Sequence, residues 1–269
     1  MTLEDQTTYC GELVRANDPD RFFLSLTAAA HLRPALWSLF AFNHEVAKTR
    51  EVVSDATLGQ IRLQWWREAV AMIYEGRAIE RQNEVVQSLA HVVQRYALPR
   101  PMVEAVIKAR EFDLQDKLPA SAEDLLNYAN NTVTPLNTLV LSVLSEEAAP
   151  ALVQSVSSGY GLTGLLRATV YLARQRRCVM PMALLDAEGA REDDFYTLRP
   201  HESINRVIRN LAAQARDLVK VSGVKSGFLK KSARMSELYL HRIAAAQYNP
   251  YNPLFLSLPP FFHLRVALR

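Results

Sequence analysis

Residues 35–51 read ALWSLFAFNHEVAKTRE and change character half-way along. From Ala35 to Phe42 every residue except Ser38 is apolar. That is too hydrophobic all round for a helix lying on a surface with one face in water. From Asn43 to Glu51 the stretch turns polar and charged, and no Gly or Pro stops a helix there. A helix buried at one end and charged at the other runs through a core into a cavity or onto an interface. Its charged end is therefore the first place to look for chemistry.

Outward from this stretch the pattern is helical nearly everywhere. Leu58, Ile61, Trp65, Ala69, Met72 and Ile73 recur at helical spacing, and so do Val85, Leu89, Val92, Val93 and Tyr96. Leu98-Pro99-Arg100-Pro101 breaks the chain, with Pro101 suited to the first turn of a helix running to about Asp116. Ser121-Ala-Glu-Asp124 has the form of a capping box opening a further helix. Asn130-Asn131-Thr132 and Pro135 predict an interruption and a kink near that helix's middle. Ala149–Arg174, Ser203–Val221 and Phe228–Ala246 read as further helices, and Glu192 starts a short one. The tail from Gln247, with Pro250, Pro253, Pro259 and Pro260, reads as irregular and ends in a short basic apolar piece. Strand-type alternation and internal repeats are absent. The expectation is one all-helical domain over residues 1–269.

Composition sets the class. With 49% apolar and 22% charged residues the chain is a globular protein of 269 residues, long enough to bury a sizeable core. A net charge of +3 permits attraction to anionic ligands or membrane surfaces without demanding it, and gives no sign of nucleic-acid binding. Cys10 and Cys178 stand far apart and read as free thiols. The first residues, MTLEDQTTYCGELVR, resemble neither a signal peptide nor a transit peptide, and no run is long enough to span a bilayer. A bacterial cytoplasmic location is expected.

Several local patterns invite a functional reading. Gly159-Tyr-Gly161-Leu-Thr-Gly164 matches GxGxxG, but no strand precedes it, so the glycines are expected to let a neighbouring helix approach. Glu192-Asp193-Asp194 is read as a helix cap rather than a metal cluster, because three consecutive helical residues point in different directions. The six histidines show no i,i+4 pair, and no metal site is expected from them. Trp65 and Trp66 read as core and rim rather than as a ligand cage. Arg167, Tyr171 and Arg174 share one helix face, with Arg176 and Arg177 following. They form either a solvated helix end or an anion-binding wall.

Two segments together are similar to the squalene/phytoene synthase family. One is Arg21-Phe-Phe-Leu-Ser25 through Ala41-Phe42; the other is Gly161-Leu-Thr163-Gly-Leu-Leu-Arg167 through Arg177-Cys-Val-Met-Pro181. With the basic end HLRVALR the similarity covers nearly the whole chain. It implies an all-α, isoprenoid-synthase-type bundle of antiparallel helices around a central cavity. In active members, Asp-rich motifs on two helices hold Mg²⁺, which draws diphosphate from a prenyl substrate.

Placed on those motifs, this chain has Ala47, Lys48 and Glu51 in place of the first three aspartates. Ala168, Tyr171 and Leu172 replace the second set, and the motif arginine is kept as Arg167. No Asp lies between Ala35 and Ser54 or between Pro150 and Leu185, so no shift in register restores the set. The Lewis-acid assistance forgone is on the order of several kcal/mol, or roughly a thousandfold in rate. No cofactor is expected, and Mg²⁺ enters only if the chain is an active prenyltransferase with an atypical site, for which Asp113 and Asp116 are the candidate acids.

The resemblance is greater to a branch that lacks these aspartates, the complex I assembly factor 6 type. It rests on Ala41-Phe-Asn-His-Glu-Val-Ala47, Gly59-Gln-Ile-Arg-Leu-Gln-Trp65, Asn127-Tyr-Ala-Asn130, Leu166-Arg-Ala-Thr169 and Met180-Pro181-Met182. What it implies is a non-catalytic protein that partners respiratory complex I subunits or assembly intermediates, peripheral to the inner face of the plasma membrane. A prenyl or other lipid ligand would meet Arg167, Lys48, Arg174, Arg177, Tyr128 and Asn130.

Overall fold

The computed structural model describes residues 3–77, 83–220 and 223–268. Its regular structure is helical, with no strand among the described residues. The chain divides into two compact units, one running to Gln115 and including Thr134–Glu147, the other made of Asp116–Val133 and the chain from Ala148 onward.

The first unit holds α1 (Leu3–Asn17), α2 (Pro19–Leu26), α3 (Arg33–Ala47), α4 (Thr49–Val52), α5 (Ala56–Tyr74), α6 (Glu84–Tyr96), α7 (Arg100–Lys108) and the second part of α8 (Ala122–Leu144). Its centre is α3, packed on α1 and α6. Leu36, Leu39, Phe40, Ala41 and Phe42 are almost wholly buried, and each large side chain among them stabilises the fold by about 1.5–3 kcal/mol. Ser38, the polar exception, lies 2.5 Å from the Ser88 hydroxyl of α6 and donates to the Pro34 carbonyl. Its burial therefore leaves no unmet hydrogen bond.

In α5 the buried stripe differs from the expected one. Leu58 and Ile61 are exposed and Trp65 is half-buried, whereas Leu63, Trp66, Val70 and Ile73 face the core together with Ala69. Gly59 starts that face, and the Leu114 side chain of the Ala109–Leu114 segment packs into the space a Cβ there would take, with Leu114 Cδ2 at 2.4 Å from that position. That segment corrects a second expectation. The helix beginning at Arg100 stops at Lys108, tightens to a 3₁₀ turn over Ala109–Leu114 and does not reach Asp116, which adopts a φ of +49°.

The second unit comprises the first part of α8 with α9 (Pro150–Arg174), α10 (Met182–Glu188), α11 (Glu192–Tyr196), α12 (Glu202–Val219), α13 (Gly227–Ala245) and α14 (Phe262–Ala267). The expected ends at Val221 and Arg269 lie outside the described residues. The capping box at Ser121 forms, with Asp124 Oδ2 accepting from the Ser121 amide at 2.9 Å and the Asp124 amide donating to Ser121 Oγ at 3.2 Å. Asp194 likewise accepts from the Arg191 amide at 2.7 Å, so the acidic run caps α11. The expected interruption at Asn130–Thr132 does not occur. Helix α8 is continuous across Pro135, and the Thr132 and Thr138 hydroxyls bond back to the carbonyls of Tyr128 and Thr134. Pro135 removes one amide donor, which a long helix with many other bonds tolerates.

Helix α9 packs on α12 and α13. Gly159 meets α12, where an added Cβ would stand 2.5 Å from Val219 Cγ1, and Gly161 meets α8, 3.0 Å from the Ala129 carbonyl. The GxGxxG match is thus a packing device inside a helix. The stretch around Met180 is tied to the start of α8 by amides of Met182 and Ala183 donating to the carbonyls of Pro119 and Ala120.

Cys10 and Cys178 are unpaired, and burial pushes both thiols up to about 11. Because the thiolate is the reactive form, both are expected to react with a disulfide reagent at pH 8 roughly a hundredfold more slowly than a free thiol. Labelling at the free-thiol rate in the native protein would contradict that burial.

Candidate functional site

The charged end of α3 is occupied by its own chain. Lys48 pairs with the Glu45 carboxylate one turn earlier, and Arg62 of α5 reaches the other Glu45 oxygen at 3.1 Å. Two cations thus converge on one largely buried acid. Ala47 is half-buried, Glu51 is exposed on α4, and burial followed by the Lys48 charge lowers His44, which keeps it neutral at pH 7. Asn43 Oδ1 and Thr49 Oγ1 are buried with no hydrogen-bond partner among the described residues. These two polar atoms were missed at the sequence level. Both lie beside the motif positions, and neither carries a charge.

The second set lies on α9. Arg167 is half-buried and its guanidinium carbon stands 3.5 Å from the centre of the Tyr239 ring of α13, a close cation–π stack. Tyr239 is almost wholly buried, and its ring also packs on Phe262 of α14 at 4.8 Å. Of the positions beside Arg167, Ala168 is half-buried, Tyr171 exposed and Leu172 buried. Arg174 is exposed in the last turn of α9, Arg177 is half-buried, and Arg176 lies over the Tyr196 ring at 5.4 Å. Tyr128 and Asn130 are half-buried on α8, flanking Ala129, against which Gly161 of α9 packs. The structure therefore places Lys48, Ala47 and Glu51 in the first unit and the remaining candidates in the second.

Mg²⁺ requires hard oxygen donors, usually carboxylates helped by substrate phosphates. Around α3 and α4 the carboxylates are Glu51, exposed, and Glu45, already held by Lys48 and Arg62. Helix α9 contains no acid at all. Asp113 pairs with Arg110 at 3.6 Å and Asp116 is exposed. Among the described residues no group of three or more His, Cys, Asp or Glu side chains is gathered. The donor set does not fit the ion.

A family model for squalene/phytoene synthase matches residues 14–266. The chain belongs to the squalene/phytoene synthase family. Among curated proteins it is 31% identical over 209 residues to NADH dehydrogenase (ubiquinone) complex I, assembly factor 6, of Bos taurus and likewise of Homo sapiens, covering 77% of this chain. The chain spans 62% of the length of those two relatives. Among solved structures it matches squalene synthase HpnC from Alicyclobacillus acidocaldarius with a TM-score of 0.75 at 22% identity, over 92% of this chain and 96% of that one. A dehydrosqualene synthase crystallised with a ligand matches with a TM-score of 0.82 at 14% identity, over 98% and 95%. At such identities the likeness shows the fold alone, the all-α isoprenoid-synthase fold. No helix among the described residues is long and apolar enough to cross a membrane.

Proposed function

We propose that this chain is a non-catalytic member of the family that helps to assemble respiratory complex I. The observation that carries the first half is the donor set: five of the six motif carboxylate positions hold Ala47, Lys48, Ala168, Tyr171 and Leu172. The sixth, Glu51, points no second acid at a common ion. Supporting the second half are the relatives at 31% identity, which are named as assembly factors. On this reading no Mg²⁺ is bound, and the cations Arg167, Arg174 and Arg177 of the second unit, with Tyr128 and Asn130, serve the head group of a prenyl or other lipid ligand.

Deleting the gene in the source organism is expected to lower assembled complex I several-fold on native gels, with other respiratory complexes unchanged and the loss restored by the intact gene. Normal complex I in the deletion strain would overturn the assembly role. The purified protein given Mg²⁺ and farnesyl diphosphate is expected to release no diphosphate above the blank. Release abolished by a chelator would instead favour a prenyltransferase with an atypical site.

A further inference from the structure

The second unit carries a basic groove that neither motif accounts for. A cavity of about 490 Å³ opens between α12, α13 and α14, lined by Arg216, Lys220, Arg234, Glu237, His241 and Arg265 among others. Four of these are cations and one is an acid. The acid, Glu237, is engaged with Arg234 at 3.0 Å, and among the described residues Lys220 pairs only with the exposed Asp217 at 4.0 Å. Arg216 and Arg265 make no ion pair with any described residue, and Arg234 Nε is buried without a hydrogen-bond partner among them. From Leu238 to Arg269 the sequence contains no Asp or Glu. The groove is thus a concentration of positive charge with its own counter-charge largely missing, a surface that attracts anions.

Beside the groove runs an apolar ridge. Of the fourteen large hydrophobic side chains exposed among the described residues, six fall within residues 254–268: Leu254, Leu256, Leu258, Phe261, Leu264 and Leu268. Helix α14 uses Phe262 and Val266 to pack inward, while Leu264 on the helix and Phe261 and Leu268 at its two ends are exposed. Phe261 is 77% exposed. Segment 254–258 is held beside the end of α13 because Arg242 donates to Ser257 Oγ at 3.1 Å. Arg265, flanked by Leu264 and Val266, belongs to the groove and to α14 alike. The ridge and the groove are therefore contiguous.

An exposed apolar ridge, itself free of acids, beside a groove with four cations and one acid matches one kind of surface, a bilayer with anionic head groups over an apolar interior. We infer that α14 and segment 254–258 dock on an anionic phospholipid membrane, with the groove of Arg216, Lys220, Arg234 and Arg265 receiving lipid phosphates while Phe261, Leu264 and the leucines of 254–258 enter the acyl boundary. Phe261 supplies most of the depth, since it is the most exposed large ring of the ridge. Arg216 and Arg265 supply most of the lipid selectivity, since no acid competes for them.

The test is sedimentation of the full chain with vesicles of phosphatidylcholine alone and of phosphatidylcholine with about a third phosphatidylglycerol. Binding is expected only to the anionic vesicles. Each cation near such a surface contributes about fivefold in affinity, so the Arg216→Gln/Arg265→Gln variant should bind roughly twenty-five-fold more weakly. Phe261→Ser should lose about tenfold by withdrawing its ring from the acyl boundary. Unchanged circular dichroism and melting are expected for both variants, because none of the three side chains is buried. Equal binding to neutral vesicles, or binding unaffected by the double variant, would overturn the inference. So would a protein that binds inorganic phosphate in the groove but no vesicle, or one that forms a dimer dissolved by Phe261→Ser. Vesicle binding is read on the purified protein, so its failure leaves the complex I reading standing, and normal complex I in a deletion strain leaves this surface standing.

Discussion

Trp66→Ala is expected to destabilise the first unit by about 3–5 kcal/mol, the range for removing a buried large aromatic side chain. Trp66 is 1% exposed and meets two rings edge-on, Phe42 at 5.4 Å and Trp65 at 4.9 Å. Phe42 ends the apolar half of α3, so Trp66 joins α5 to the helix around which the unit is packed. Its truncation leaves a cavity that neither α3 nor α5 can close without losing other contacts. The indole Nε1 is buried with no partner among the described residues. Trp66→Phe, which keeps most of the packing and deletes the unpaired donor, should therefore cost only about 1 kcal/mol. The remaining tryptophans, Trp37 and Trp65, both lie in the same unit, so tryptophan fluorescence reports its unfolding directly. At a slope of about 2–3 kcal/mol per molar urea the Trp66→Ala midpoint should fall by roughly 1–2 M with the slope unchanged. Equal shifts for the alanine and phenylalanine variants would mean that the ring is not a packing element.

The same helix shows where sequence reading stops. Helix α5 carries apolar residues on two faces, and spacing alone offered Leu58, Ile61 and Trp65 as readily as Leu63, Trp66 and Val70. What selects between them is the approach of the Ala109–Leu114 turn onto Gly59, a tertiary contact with no local signature. Features written locally were legible: the capping box at Ser121, the acidic cap of α11, the span of α6 and the break at Pro99-Arg100-Pro101 all depend on residues within a few positions of each other. At the site the asymmetry recurs. The absence of Asp from residues 35–54 and 150–185 was plain from the chain. Capture of Lys48 by Glu45 was within reach as an i,i+3 pair, but the second clamp from Arg62 needs α5 packed against the end of α3. The stacking of Arg167 on Tyr239 joins α9 to α13, far apart in sequence, and no spacing rule could have paired them. The basic groove is invisible for the same reason, since its cations come from three helices and only Arg265 stood in a stretch marked as basic.

The three glycines of the GxGxxG match are expected to respond to substitution with opposite signs. Gly161→Val should destabilise the second unit by about 3 kcal/mol, because overpacking against a fixed neighbour forces the backbone to shift. The neighbour is fixed here: a Cβ at Gly161 would lie 3.0 Å from the Ala129 carbonyl oxygen and 3.1 Å from Ala129 Cβ, both anchored in the middle of α8. Gly159→Val should behave alike, with Val219 Cγ1 at 2.5 Å and the Ala215 carbonyl oxygen at 3.2 Å from its Cβ. At Gly164 nothing lies within 4 Å of an added Cβ. Gly164→Ala therefore meets no clash and should stabilise the helix by roughly 0.5–1 kcal/mol, the ordinary gain of alanine over glycine in a helix interior. A phosphate cradle would require all three positions to stay open to a ligand, whereas α8 and α12 cover the first two. Thermal melting of the three variants decides the matter: a fall for residues 159 and 161 with a rise for residue 164 is the signature of helix packing. A fall at all three would show that α9 is covered on its Gly164 face as well, by something bound there. Because α9 also carries Arg167 over Tyr239, a displacement of α9 from α8 should loosen that stack too. Gly161→Val is accordingly expected to change the tyrosine signal in near-ultraviolet circular dichroism below its melting point, while Gly164→Ala leaves it unaltered.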